Sequence, residues 1–359
     1  MKSFMAHSLF IKLAGIGDLL MLTPALRAYK ATFPEEEIIF VTGDSNKEVI
    51  KNNPNIDRLI PLNDLAFFPG SISEKFKEAM KLISLIKKSR ARKVFVFHRD
   101  WRWNLLVFLA GVKERHGFRR DLRGLFLTHA IDTASKEHQI HSFFKVLGMP
   151  VPSEKHALHI DIFPTPEEEE RINRVIGTFP SGNIIAIAPG GAANTREQVP
   201  LKRWPLEHYR ELICRLLKHG FLIFLIGGKN DYVFTRPLTD AFSTAHGKRL
   251  FDLSGRYSIG ETCNFLKRCL LMVTHDSGPM HIASAAGIPV IAIFGPTEPE
   301  ETKPLTAGSY FFWRGDKLLC APCYKHGKFP DCKTVACMNE VSADEVYEKV
   351  IEVLKWCSP

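Results

Sequence analysis

Hydrophobic residues fall in short unbroken blocks separated by helical patterns, not in strict alternation. Ser8 to Leu13, Ile38 to Thr42, Asp57 to Leu62 and Val94 to Phe97 read as strands in the first part of the chain. Helical spacing fills the gaps, with a helix from Asp18 to about Thr32 and another from about Ser73 to Ser89 carrying Phe76, Met80, Ile83 and Ile86. Continuous apolar strands of this kind belong to parallel sheets covered on both faces. The pattern restarts after a Pro- and Glu-rich stretch from Phe163 to Glu170. Ile184 to Ala188, Phe221 to Ile226, Leu271 to Thr274 and Val290 to Phe294 are the second set of strands. Helices are expected over Leu206 to His219 and over Ser342 to Lys355, the latter opened by Ser342 with Glu345 three residues on. The spacing predicts two doubly wound α/β halves.

The chain has 359 residues, enough for two cores. Hydrophobic residues make up 45% and charged residues 24%, which excludes disordered, collagenous and coiled-coil classes. No apolar run approaches the ~20 residues of a membrane helix. The apolar stretch from Met1 to Leu22 is broken by Lys12 and Asp18 and is read as a first strand and helix, not a signal peptide.

Charge is uneven. Residues 1–160 hold 25 basic and 16 acidic side chains, whereas residues 161–359 hold 23 of each. Residues 87–123 alone hold 12 basic and 3 acidic groups. A local basic field suits an anionic partner such as nucleic acid, phospholipid headgroups or a phosphorylated substrate; a merely solvated face is the plain alternative.

Strand ends carry the chemistry. In open α/β sheets, ligands bind outside the carboxyl ends of the strands. Gly15-Ile16-Gly17-Asp18 follows the first strand, but Leu20 stands where a third dinucleotide-binding glycine belongs, and Asp18 would repel a pyrophosphate. Asp18 is either a helix cap or a carboxylate placed as a general base. Pro189 to Thr195, followed by Lys202-Arg203-Trp204-Pro205, offers backbone N–H groups and positive charge to a diphosphate. Asp276-Ser277-Gly278 opens a helix that carries His281, and Gly295-Pro296-Thr297 closes the next strand. Both suit an anion or a sugar. A hydrolase triad is disfavoured because there is no Gly-x-Ser-x-Gly elbow.

These motifs together resemble glycosyltransferase family 9, the heptosyltransferases of lipopolysaccharide core assembly. The matching elements run almost end to end. They include Gly15-Ile16-Gly17-Asp18 with Thr23-Pro24-Ala25-Leu26, Asn53-Pro54-Asn55-Ile56-Asp57 and Arg115-His116-Gly117-Phe118. They continue with Lys202-Arg203-Trp204-Pro205, Gly227-Gly228, Asp276-Ser277-Gly278-Pro279-Met280-His281 and Phe294-Gly295-Pro296-Thr297.

The resemblance implies a GT-B fold, with two Rossmann-like domains facing across a cleft. The acceptor domain would be 1–165, the linker 166–182, the nucleotide-sugar domain 183–340, and the helix 341–359 would cross back to the first domain. It implies an inverting transfer of heptose from ADP-heptose that requires no cofactor and no catalytic metal. Asp18 resembles the general base, and Lys202 the residue that stabilises the leaving diphosphate. Asn194, Thr195, Gly228, Asp276, Ser277, Gly278, His281, Gly295, Pro296 and Thr297 would line the donor site. Gly15, Gly17, Arg99, Arg102, Arg119, Arg120 and Arg123 would serve the acceptor, an anionic glycolipid at the inner face of the cytoplasmic membrane. Trp101, Trp103, Leu105, Leu106 and Phe108 are candidates for lipid contact, with core packing preferred for the tryptophans. The protein is expected to be cytoplasmic and peripheral to that membrane, without a nucleic-acid partner. Use of another nucleotide sugar, binding without turnover, and a nucleic-acid or dinucleotide function are the alternatives.

Cys320, Cys323, Cys332 and Cys337 are spaced C-x2-C-x8-C-x4-C around His326. The spacing resembles a structural zinc set, but a reduced loop beside the nucleotide site is the preferred expectation.

Overall fold

The computed structural model describes residues 7–119, 121–132, 136–180, 182–193, 198–242, 249–324 and 329–357, without the side chains of 121–123, 356 and 357. The chain divides into two units, the break falling between Asp161 and Ile162. Each is built on a six-stranded parallel sheet.

The N-terminal sheet contains β1 (His7–Ile11), β2 (Glu37–Gly43), β3 (Arg58–Leu62), β4 (Lys93–Val96), β5 (Glu114–Arg119) and β6 (His129–Asp132) in the order β3-β2-β1-β4-β5-β6. The C-terminal sheet contains β7 (Ile184–Ala188), β8 (Leu222–Leu225), β9 (Leu250–Asp252), β10 (Leu271–His275), β11 (Val290–Ile293) and β12 (Tyr310–Phe312) in the order β12-β11-β10-β7-β8-β9. These are the same winding. Each sheet reverses direction once, beside β1 and β4 in the first and beside β7 and β10 in the second. At such a switch point the connections part and leave room for a ligand.

Apolar strand residues explain the burial. Leu9, Ile11, Ile39, Val41, Val94 and Val96 share one N-terminal core with Leu82, Ile86 and Val107 from the covering helices. The second core joins Ile185, Ile187, Ile223, Val273 and Ile291 to Leu212, Leu216 and the indole of Trp204. Trp204 Nε1 donates to Val341 O at 2.8 Å, which satisfies the one polar atom of a buried ring.

The expected linker is largely a helix, Pro166–Ile176, with a Thr165/Glu168 capping box. Its Ile172 is fully buried, and Glu168 accepts a hydrogen bond from Ser258 at 2.6 Å, so it belongs to the C-terminal unit. The last helix, Ala343–Cys357, starts at Ser342 with Glu345 closing the expected box. Its Val346, Val350 and Val353 fill the C-terminal core beside the helix Leu206–His219. Its apolar face is thus packed into the core of its own unit.

Burial holds two histidines neutral. Burial, with His129 stacked at 4.1 Å, pushes His116 down to about 4. Burial likewise pushes His275 down to about 3. The unfolded value is about 6.5, so below that pH the unfolded chain binds protons that the folded chain refuses. Stability is therefore predicted to fall as pH drops from about 6.5 toward 4. Urea midpoints at neutral and mildly acid pH check this, and His116→Phe should flatten part of the slope.

Candidate active site

The N-terminal unit carries one cluster of candidate residues, at the switch point of its sheet. β1 ends at Ile11, and the chain turns through Gly15 into the helix Ile16–Thr32. Gly15 has φ 94°, a region open mainly to glycine, and an added Cβ would lie 3.0 Å from an Asp18 carboxylate oxygen. Asp18 therefore sits in the first helical turn, tucked against the loop that precedes it, with Gly17 beside it in the same turn. Its Oδ2 is 2.6 Å from Lys12 Nζ, whose side chain is 5% exposed against 35% for Asp18. Lys12 also donates to Phe97 O at 3.2 Å, just beyond β4. Gln139 Nε2 donates to the other carboxylate oxygen at 3.2 Å.

The loop itself is anchored from neighbouring strand ends. Leu13 N donates to His98 Nε2 at 3.0 Å, and the His98 ring stacks on Trp103 at 4.3 Å. Leu13 O accepts from Gly43 N at 3.1 Å and from Asn46 Nδ2 at 3.2 Å. A Cβ on Gly43 would lie 2.5 Å from Leu13 O, so only glycine permits this approach. The result is a half-exposed carboxylate with a buried countercharge, on a loop fixed at both ends.

The C-terminal unit carries a separate cluster, at the switch point of its own sheet. Asp276 follows β10, and Lys202 arrives from the loop after β7. Lys202 Nζ donates to Asp276 Oδ2 at 2.7 Å, and Thr297 Oγ1 donates to the same oxygen at 2.7 Å. Burial pushes the Asp276 carboxyl up. The Lys202 ammonium and the two hydrogen bonds outweigh this and hold it below the usual carboxylate range. Three residues singled out in the sequence are thus brought into one cluster, with Phe329 6.0 Å below the ammonium.

The glycine amides at the ends of β7 and β8 do not present an open cradle. Asp231 fills it, accepting from Gly191 N at 2.6 Å and from Gly228 N at 2.8 Å. Cβ atoms at Gly190 or Gly227 would collide with Asp231 at 2.5 and 2.7 Å. Ser277 is buried, and its hydroxyl donates to His275 O at 3.2 Å. Gly278 and His281 lie in the helix Gly278–Ala285, with His281 buried. Gly295 O accepts from Trp313 Nε1 at 3.3 Å, and Pro296 O accepts from Cys323 N and Tyr324 N at 3.0 and 3.1 Å. Asn194, Thr195 and Arg120 lie outside the described residues, as do the side chain of Arg123 and all of His326.

The basic stretch is partly neutralised. Arg102 pairs with Asp100 at 2.5 Å and Arg119 with Asp132 at 2.5 Å. Arg99 lies 5.9 Å over the Phe118 ring. Trp103 is buried against Phe67, Phe68 and His98, as core packing requires. Cys320, Cys323 and Cys332 stand near enough to Cys337 to help raise its thiol to about 11, after burial as the main cause. Among the described residues, no group of three or more His, Cys, Asp or Glu side chains is arranged to hold a metal ion.

Residues 80–333 match the model of glycosyltransferase family 9 (heptosyltransferase). This chain belongs to that family. It is a glycosyltransferase. It is 23% identical over 303 residues to lipopolysaccharide heptosyltransferase 2 of Escherichia coli K12, covering 81% of this chain and 83% of that one. It is 21% identical over 348 residues to lipooligosaccharide heptosyltransferase 2 of Campylobacter jejuni, covering 95% and 96%. Its fold resembles that of E. coli ADP-heptose lipopolysaccharide heptosyltransferase II, with TM-score 0.74, 20% identity and coverage of 98% and 99%. A family 9 glycosyltransferase from Veillonella parvula gives TM-score 0.76 at 21% identity, covering 99% of each chain. At this identity the likeness concerns the GT-B fold of two Rossmann-like units.

The cluster in the second unit makes a stability prediction. Lys202→Ala leaves the Asp276 charge buried without its ammonium and is expected to cost about 3 kcal/mol at neutral pH. Adding Asp276→Asn should recover much of that loss in equilibrium unfolding. Strictly additive losses would show the two groups to be uncoupled.

Proposed function

We propose that this family 9 glycosyltransferase moves a heptose from ADP-heptose to an inner-core acceptor of lipopolysaccharide, inverting the anomeric centre. The observation that carries the reading is the pairing of two charged groups with two switch points. A carboxylate, Asp18, stands at one, and an ammonium, Lys202, stands at the other.

In this reading the acceptor hydroxyl loses its proton to Asp18 as its oxygen attacks the anomeric carbon. The carbon–oxygen bond to the diphosphate breaks on the opposite side, and ADP leaves with the electron pair. Lys202 offsets the charge on that leaving group, the role that a divalent cation plays elsewhere. Asp276 takes hydroxyls of the heptose, and Thr297 keeps its carboxylate oriented. Lys202 already lies against Asp276, so donor binding redistributes an existing ion pair and does not bury a bare charge. Lys12 supplies the countercharge that keeps Asp18 in place as an anion. The acceptor is a glycolipid, which puts the enzyme at the cytoplasmic membrane surface. Arg99, just beyond the carboxyl end of β4, meets its phosphates and acidic sugars. Among the described residues no helix is long and apolar enough to cross a membrane.

The test is transfer of labelled heptose from ADP-heptose to an acceptor lacking it. Asp18→Asn is expected to lower kcat by about 10²–10⁴-fold with donor KM little changed, as loss of a general base does. Lys202→Ala should cost about 2.7–4 kcal/mol of barrier. Lys12→Met should lower kcat while leaving ADP affinity as it was. Full activity of Asp18→Asn would overturn the assignment of the base.

A further inference from the structure

The helix Ile72–Ser89 buries Glu78, Leu82, Ile83, Ile86 and Ser89 against the N-terminal sheet. Its first half nevertheless exposes Ile72, Phe76 and Met80, at 88%, 67% and 49%. These are spaced i, i+4, i+8 and form one stripe. At 3.6 residues per turn Lys87 continues it, the four lying within about 80° of one another. Beyond Ser73 and Ser84, Lys77, Lys81 and Lys88 follow on the solvent side, about 60–100° further round, with Lys81 3.5 Å from Glu78. Ile72, Phe76 and Met80 make a continuous exposed apolar flank, with lysines further round the same helix. That pattern belongs to helices that lie in a membrane interface.

The carboxyl end of the stripe opens into a cavity of about 590 Å³ lined by Lys87, Arg90, Arg92, Lys113 and Glu114. Arg92 and Glu114 pair with each other at 2.9 Å, which leaves a net positive lining. The neighbouring helix Trp101–Leu109 ends at the same rim, with Phe108 and Leu109 both exposed just before Gly111. The cavity lies where β4 and β5 begin, at the end of the sheet opposite Asp18.

We propose that this face of the N-terminal unit docks on an anionic bilayer. Ile72, Phe76 and Met80 enter the boundary between headgroups and acyl chains, and Lys87, Arg90 and Lys113 meet lipid phosphates. The inference deepens the reading above and rests on its lipid-borne acceptor. It moves the membrane contact away from Arg102, Arg115 and Arg119. Arg102 and Arg119 are engaged by Asp100 and Asp132, and Arg115 donates to Phe126 O at 2.7 Å. Charge selects the occupant. Two copies of this lysine-bearing face repel each other, whereas a phosphatidylglycerol surface complements it.

The experiment is co-sedimentation of the full chain with phosphatidylglycerol-containing vesicles and with pure phosphatidylcholine vesicles. The wild type is expected to bind the anionic vesicles and to lose them in high salt. Phe76→Glu/Met80→Glu and Lys87→Glu/Arg90→Glu should each lower the bound fraction on the order of tenfold. Both should keep the thermal midpoint and transfer to a de-acylated, water-soluble acceptor. Wild-type binding to neither vesicle, unchanged binding by both variants, or a wild-type dimer that Phe76→Glu/Met80→Glu dissolves would overturn the proposal. Failure of the proposed reaction would appear separately, as wild type that binds anionic vesicles yet transfers no heptose to the soluble acceptor.

Discussion

A parallel strand can reach its neighbour only by a crossover, and crossovers in one sense cover only one face of a sheet. Covering both faces forces one reversal of winding in each sheet. At that reversal the loops after two adjacent strands diverge, and their polar ends have no element to pack against. Everything chemically distinctive in this protein is placed by that constraint. Asp18 and Lys12 occupy the reversal beside β1 and β4, and Lys202 and Asp276 occupy the reversal beside β7 and β10.

Charge burial follows from it. Each reversal gathers an ion pair with one member deeply buried, Lys12 in the first unit and Asp276 in the second. A lone buried charge would cost several kcal/mol, so each pair requires its partner. The polarity is opposite in the two units. The first leaves a carboxylate half exposed, and the second leaves an ammonium as the more accessible group. A proton acceptor and a stabiliser of a leaving anion are the complementary needs of glycosyl transfer from a nucleotide sugar. Asp231 plays a different part in the same plan, because it consumes the glycine amides that would otherwise receive phosphate.

Long apolar strands and periodic helices were legible in the sequence because burial on both faces leaves no polar positions. Ile184–Ala188 and Leu206–His219 stand where their patterns place them. β5 and β6 were not legible, since Glu-Arg-His-Gly-Phe-Arg and His-Ala-Ile-Asp lie toward a sheet edge and need little hydrophobicity. β9 and β12 are three residues each and fall below any periodic signal. Lys202, Asp276 and Thr297 were legible as separate motifs, but their meeting at one oxygen is a tertiary fact. Lys12 was missed as a functional residue, although a lysine inside an apolar strand block was the available signal. Gln139 and Asp231 gave none, because their roles depend on loops brought together by the fold.

In the proposed reaction the Lys202–Asp276–Thr297 cluster receives an ADP-linked sugar. Calorimetric titration of the purified protein with ADP, UDP and NAD, with no metal added, tests it most directly. A clear preference for ADP that Lys202→Ala weakens is the expected result. A preference for UDP, or ADP binding indifferent to Lys202, would contradict it.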